Sequence, residues 1–258
     1  MSDRRLIAAL QARGAPTAFE TAFRVPKTHI CDDYGVSVTA DGDVVGCRVP
    51  RMSLSIHCTQ PHLECASHVL PKSCNWTVSD AISNGKEERT ILVTPVIEML
   101  GESGDSYPSG APDEPVISLR SLRAAIAAYG ALDEKDSILV RVPESYFPTY
   151  SDCNEIRAWP YVTQECARFL RLHFAHYRTN APSVERVDSG GGMWIHRILF
   201  GIEIPSTESL IDGLPLRTIG ELFHIPSTVL DGEYILICPF LEMGLDCAMT
   251  VPLLYSKS

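Results

Sequence analysis

The chain has 258 residues, 45% hydrophobic and 21% charged, which fits a folded globular protein and excludes a disordered chain or a coiled coil. Lysine and arginine number 22 against 32 acidic residues, a net charge of −10 that argues against a nucleic-acid binder, because phosphate contacts need a basic surface. Apolar runs stay short of the roughly 18 residues that span a bilayer, so no membrane partner is expected.

Met1–Gly14 (MSDRRLIAALQARG) predicts a short amphipathic helix at the head of an N-terminal arm of about 20 residues. It has neither the apolar core nor the small-residue cleavage site of a secretory signal. The nine cysteines are odd in number and form no CxxC pair. Together these features predict a cytoplasmic protein whose thiols are free, most of them buried as small hydrophobes. Asp41-Gly42 between two valine-rich runs predicts a hairpin turn. Met52–Cys58 is expected as a strand, and Ile91–Ile97 as a buried strand interrupted at Pro95. Residues 101–115 are expected as a polar loop.

Ser118 is the expected N-cap of a helix whose Leu119, Leu122, Ile126 and Tyr129 share a face. Ser137–Val142 is expected as a second buried strand, followed by a helix starting near Thr163. Residues 177–192 carry a three-glycine run without the spacing of a phosphate-binding loop, and predict a flexible surface loop. Ile195–Ile204, Tyr234–Phe240 and Met249–Leu254 are expected as strands. No repeat or linker divides the chain. Strands with interspersed helices predict a single α/β domain over residues 1–258.

One stretch concentrates reactive side chains. HCTQPHLECASHVLP, residues 57–71, holds three of the eight histidines, with two cysteines and a glutamate. Cys58, His62, Glu64 and His68 are candidate metal ligands or proton carriers. In extended backbone Cys58, His62 and Glu64 share one face, because side chains alternate with period two. Thiolate, imidazole and carboxylate are all ligands that Zn²⁺ accepts. Hydrogen-bonded surface histidines are the alternative for the same cluster. The isolated His29, His173, His176, His196 and His224 are expected to be structural.

The same stretch resembles the signature H-x-G-T-H-x-D-x-P-x-H of the cyclase family that includes bacterial kynurenine formamidase and isatin hydrolase. His62 and His68 match outright. Glu64 replaces Asp, Cys58 replaces the first His, Gln60-Pro61 replaces Gly-Thr, and Ala66 replaces Pro. Further similarities follow in order along residues 30–255. WPYVTQECARFL is similar to the family helix P-x-L-t-x-e-a-a-x-x-L, and ILFGIEIPSTES to l-x-G-i-D-t-P-S-x-D. The closing LDGEYILICPFLEMGLDCAMTVPLL is similar to the last family strands, with Asp246-Cys247-Ala248 where the family has D-G-S.

The resemblance implies a mixed α/β fold with a β-barrel-like core flanked by helices, and a homo-oligomer, most simply a dimer. It implies a metal-dependent hydrolase of a small amide, formamide or lactam, with Zn²⁺ or alternatively Mn²⁺. Carried over residue by residue, it makes Cys58, His62, Glu64 and Glu221 the metal ligands and His68 the general base or acid. Cys58 would favour zinc, because thiolate is a soft ligand. The family's late histidine, about a dozen residues before the late glutamate, finds no counterpart in STESLIDG at 206–213, where Glu208 and Asp212 are the available oxygen donors. Ring closure or dehydration of a small metabolite at the same site is an alternative. A metal-free family member that only binds a small molecule is another. Trp76, Tyr146, Phe147 and Trp159 line a pocket for an aromatic substrate or belong to the core.

Overall fold

The computed structural model describes residues 39–44, 47–51, 61–70, 76–129, 136–147, 159–186, 192–202, 217–242 and 244–256. The N-terminal arm, the Met52–Cys58 strand, Cys58 itself, Glu208 and Asp212 lie outside the described residues. The strands are β1 (Thr39–Val44), β2 (Cys47–Arg51), β3 (His62–Cys65), β4 (Glu87–Val93), β5 (Glu98–Met99), β6 (Pro115–Ile117) and β7 (Ser137–Val140). They continue with β8 (Tyr161–Val162), β9 (His176–Thr179), β10 (Thr218–Glu221), β11 (Gly232–Ile237), β12 (Cys247–Met249) and β13 (Leu253–Ser256). The helices are α1 (Val78–Ala81), α2 (Leu100–Ser103), α3 (Leu119–Ala127), α4 (Gln164–His173) and α5 (Trp194–Leu199). None is long and apolar enough to cross a membrane.

Eight strands form one mixed sheet in the order β12-β3-β10-β9-β7-β4-β11-β13, curled into a half-barrel. The expected mixed α/β architecture is therefore present. The middle four, β10, β9, β7 and β4, run parallel, and antiparallel pairs extend the sheet on both sides. Both faces of the middle are buried. Ile91, Ile138, Tyr177 and Ile219 pack into one hydrophobic cluster, while Leu92, Leu139, Leu63 and Leu236 pack into another. That is why a strand such as Ser137–Val140 is buried at every position rather than alternately.

Helix α3 starts where Ser118 caps it, its hydroxyl accepting from the Ser121 N–H, and α4 starts at Thr163, which accepts from Cys166 N–H. The interior faces of these helices, Leu122 and Ile126 on α3 and Cys166, Ala167 and Leu170 on α4, join the first cluster with Ile195, Ile198 and Leu199 of α5.

Several expectations are corrected. β1 and β2 do pair antiparallel, but Val44 pairs with Cys47 and Asp41-Gly42 lies inside β1, beside a register shift. The buried strand expected at 91–97 begins earlier, at Glu87, and stops at Val93, two residues short of Pro95. Residues 101–115 include part of helix α2 and bury Tyr107.

Residues 195–202 are not a strand. Ile195, Ile198 and Leu199 are buried at helical spacing in α5. Gly201 at φ +77° closes the helix, with its own N–H bonded to Ile198 O and that of Ile202 to Arg197 O. Residues 177–186 are not a surface loop either. His176–Thr179 is a fully buried central strand, and Ala181, Val184 and Glu185 are buried after it. Partners inside the protein, Glu88 for the Arg178 guanidinium and Glu221 for the Val184 N–H, let these residues be buried, so polarity did not mean exposure. The run Met249–Leu254 is divided between the end of β12 and the start of β13. Among the described residues the thiols of Cys65, Cys166, Cys238 and Cys247 are buried and outside any disulfide, as expected.

Candidate metal and catalytic centre

The site is built on the β12-β3-β10 side of the sheet, on the face that α5 covers. In β3, His62 and Glu64 point to the same face, with Leu63 and Cys65 to the other. Antiparallel pairing places Glu221 of β10 opposite His62 and Cys247 of β12 opposite Glu64. Directly opposed residues share a face. Three strands therefore deliver imidazole, two carboxylates and a thiol to one patch. Helix α5 adds His196, and the turn of 3-10 helix after β3 (Ala66–His68) adds His68.

The distances form a closed group. His62 Nε2 lies 3.1 Å from Glu64 Oε1 and 3.6 Å from Glu221 Oε2. His196 Nε2 lies 3.0 Å from Glu64 Oε2 and 3.6 Å from Glu221 Oε1. Each carboxylate thus spans both imidazoles. Glu221 Oε1 also accepts the Val184 N–H at 2.8 Å.

Behind His196, Glu185 Oε1 lies 3.1 Å from His196 Nδ1 and accepts the His196 backbone N–H at 2.9 Å. Tyr107 donates its hydroxyl to Glu185 Oε2 at 2.8 Å, and Trp159 Nε1 donates to Glu185 O at 2.9 Å. Carboxylate behind imidazole sets which ring nitrogen is left for the site.

His68 is half-buried at the rim. Its Nδ1 lies 3.1 Å from Asp246 Oδ2, and its Nε2 lies 3.7 Å from Glu64 Oε1. The His68 and His196 rings are 5.9 Å apart.

Burial alone would lower the pKa of these imidazoles. The hydrogen bonds and charges of Glu221 and Glu64 outweigh it at His62, whose pKa is pushed up to about 10. At His196 burial is likewise outweighed, first by Glu185 and then by Glu64, and the pKa rises well above the ordinary value. Burial, with the nearby carboxylates, pushes the Cys247 thiol up, so it stays protonated where no cation competes for the sulfur.

Three buried carboxylates, Glu64, Glu185 and Glu221, outnumber the two buried imidazoles between them. A divalent cation is one partner that such a group of carboxylates and imidazoles can take. The donors suit such an ion. One ligand atom each from Glu64, His196 and Glu221 lies within 4.8 Å of the others, and the same holds for His62, Glu64 and Cys247. Imidazole nitrogen and carboxylate oxygen are ligands that both zinc and manganese accept.

Of the residues singled out in the sequence, the structure brings His62, Glu64, His68 and Glu221 together. His196 corrects the expectation that it is an isolated structural histidine: its Nε2 faces Glu64 and Glu221. It sits 25 residues before Glu221, where the resemblance implies about a dozen for a late histidine. The signal was present. Asn180-Ala181-Pro182-Ser183-Val184-Glu185 fits the D-t-P-S-x-D segment as well as the stretch at Pro205-Ser206 does, and the structure places its Glu185 on His196. The candidate pocket aromatics divide: Trp159 is buried behind Glu185, Trp76 is exposed, and Tyr146 and Phe147 pack against the core.

No family model matches the chain, and no curated protein does. Solved structures do share its architecture, which is that of the cyclase-like hydrolases. A structure described as a potential metal-dependent hydrolase with cyclase activity matches with a TM-score of 0.51 at 17% identity, over 81% of this chain and 83% of that one. Isatin hydrolase A from Labrenzia aggregata, bound to benzyl benzoate, matches at 0.57 and 12% identity over 85% and 81% of the two chains. Isatin hydrolase A from Ralstonia solanacearum matches at 0.56 and 11% identity over 99% and 98%.

Proposed function

We propose that the protein is a metal-dependent hydrolase that cleaves the C–N bond of a small amide, formamide or lactam. The observation that carries this reading is the buried group of His62, Glu64, His196 and Glu221, with nitrogen and oxygen donors turned toward one another. Support comes from the shared fold with structures named as metal-dependent hydrolase and isatin hydrolase.

In this reading His62, Glu64, His196 and Glu221 hold a divalent ion, zinc or manganese. Such an ion supplies Lewis-acid polarisation of the substrate carbonyl and makes water acidic enough to act as a nucleophile at neutral pH. The remaining work falls to the protein. Asp246 holds the His68 ring by Nδ1, which leaves Nε2 facing the carboxylate group. His68 takes a proton from the attacking water as the C–O bond forms. It returns that proton to the nitrogen as the C–N bond breaks, so the leaving amine departs neutral. Glu185 holds His196 and takes no part in proton transfer to substrate.

The test is metal analysis of purified protein together with hydrolysis of a panel of aryl formamides and cyclic amides, isatin included. His196→Ala is expected to lose both metal and activity. His68→Ala is expected to keep the metal while kcat falls about 10²- to 10⁴-fold. Wild-type protein that neither retains nor responds to zinc or manganese would overturn the reading.

A further inference from the structure

We propose that Cys247 supplies a sulfur ligand to the ion held at this site, so that the centre has nitrogen, oxygen and sulfur donors. The inference rests on the metal-site reading above and adds a ligand to it. Cys247 stands directly opposite Glu64 in the β12–β3 pair, so its side chain is on the face of His62 and Glu64. Its Sγ, a ring nitrogen of His62 and a carboxylate oxygen of Glu64 all lie within 4.8 Å of one another.

The residue is 3% exposed, and its thiol makes no hydrogen bond among the described residues. A buried thiol beside two ligand side chains, with its own bonding capacity unspent, is placed as a donor. The neighbouring Cys65 is different. It lies on the opposite face of β3, and its Sγ is bonded to Ser67 Oγ at 3.1 Å. In the family signature the position of Cys247 is a glycine, which has no donor to offer, so the sulfur belongs to this chain.

The chemistry follows from ligand softness. Sulfur ligates as thiolate, so the Cys247 proton is released to solvent as the ion binds. Thiolate selects zinc over manganese, which prefers oxygen and imidazole. A preference for zinc was expected from Cys58; the geometry gives Cys247 an independent route to it.

Cobalt(II) in place of zinc reports sulfur ligation directly, through a thiolate-to-metal charge-transfer band in the near ultraviolet. The band is expected in the wild type and in Cys58→Ser. It is expected to disappear in Cys247→Ser and in Cys247→Ala, with cobalt still bound and the melting transition retained. The ratio of zinc to manganese affinity is expected to fall at least about tenfold in both Cys247 variants. Cobalt bound to the wild type without the band, or a band that survives in folded Cys247→Ser and Cys247→Ala, would overturn the sulfur ligand and leave the metal site standing. No cobalt or zinc bound at all would overturn both.

Discussion

Glu185 contributes to the site through His196, whose Nδ1 it engages while Nε2 faces Glu64 and Glu221. Glu185→Gln keeps the size but loses the charge that fixes the ring, and metal affinity is expected to fall about 10- to 100-fold by titration calorimetry. His176 shows the opposite environment. Burial lowers its pKa to about 2, with the Arg178 charge adding to the effect, and its Nδ1 lies 2.8 Å from Thr218 Oγ1. The folded pKa lies below the unfolded value of about 6.5, so its contribution to stability is full above that pH and is lost as pH falls toward 2. Between pH 6.5 and 5 the loss amounts to about 2 kcal/mol. Denaturant unfolding at both pH values should show that slope reduced in His176→Gln, and an unchanged slope would count against a neutral buried imidazole.

At the scale of elements, caps and close approaches set the geometry. Ser118→Ala and Thr163→Ala each remove a side-chain acceptor from a helix start, and each is expected to cost about 1 kcal/mol in denaturant unfolding. Gly220, next to Glu221 in β10, is held to glycine by space. A Cβ there would stand 2.7 Å from Arg178 Cδ and 2.8 Å from Phe223 Cζ. Gly220→Ala is expected to cost about 1–3 kcal/mol. It should also loosen metal binding, because β10 must shift to accept the methyl group and carries Glu221 with it. Leu222, directly after Glu221, adopts φ +60°, and Met193, three residues before His196, adopts φ +44°. Both are left-handed conformations that side chains disfavour, and both adjoin site residues.

Across the whole molecule, one ion pair ties distant strands on the sheet face away from the site. Arg178 Nη2 of β9 donates to Glu88 Oε1 of β4 at 2.7 Å, both side chains fully buried, with β7 between the two strands. Glu88→Ala strands the guanidinium in the interior and is expected to cost about 3–5 kcal/mol, whereas an apolar pair such as Glu88→Leu with Arg178→Met is expected to be near neutral. Comparing the single and double variants by equilibrium unfolding separates the cost of an orphaned charge from the worth of the pair. Removal of metal by a chelator is expected to lower the melting temperature, since an ion that binds only the folded chain stabilises it.

His62 and Glu64 were legible because they lie two residues apart, where extended backbone alone predicts a shared face, and His68 because it falls in the same short run of reactive side chains. Helices α3 and α4 were legible for the same reason, since their caps and apolar faces are local patterns. His196, Glu185 and Cys247 were not. His196 lies 132 positions from the Glu64 it approaches, and nothing local marks a lone histidine in IHRIL as different from His176, which is structural. The polar run at 177–186 looked exposed because its hydrogen-bond partners, Glu221 and His196 among them, are supplied by other elements. The donor types were therefore set by the sequence. Their meeting depends on strand register, which aligns His62 with Glu221 and Glu64 with Cys247 only when β10 and β12 pair antiparallel on either side of β3. Register is a property of the assembled sheet, and a slip of one residue would turn each of these side chains to the opposite face.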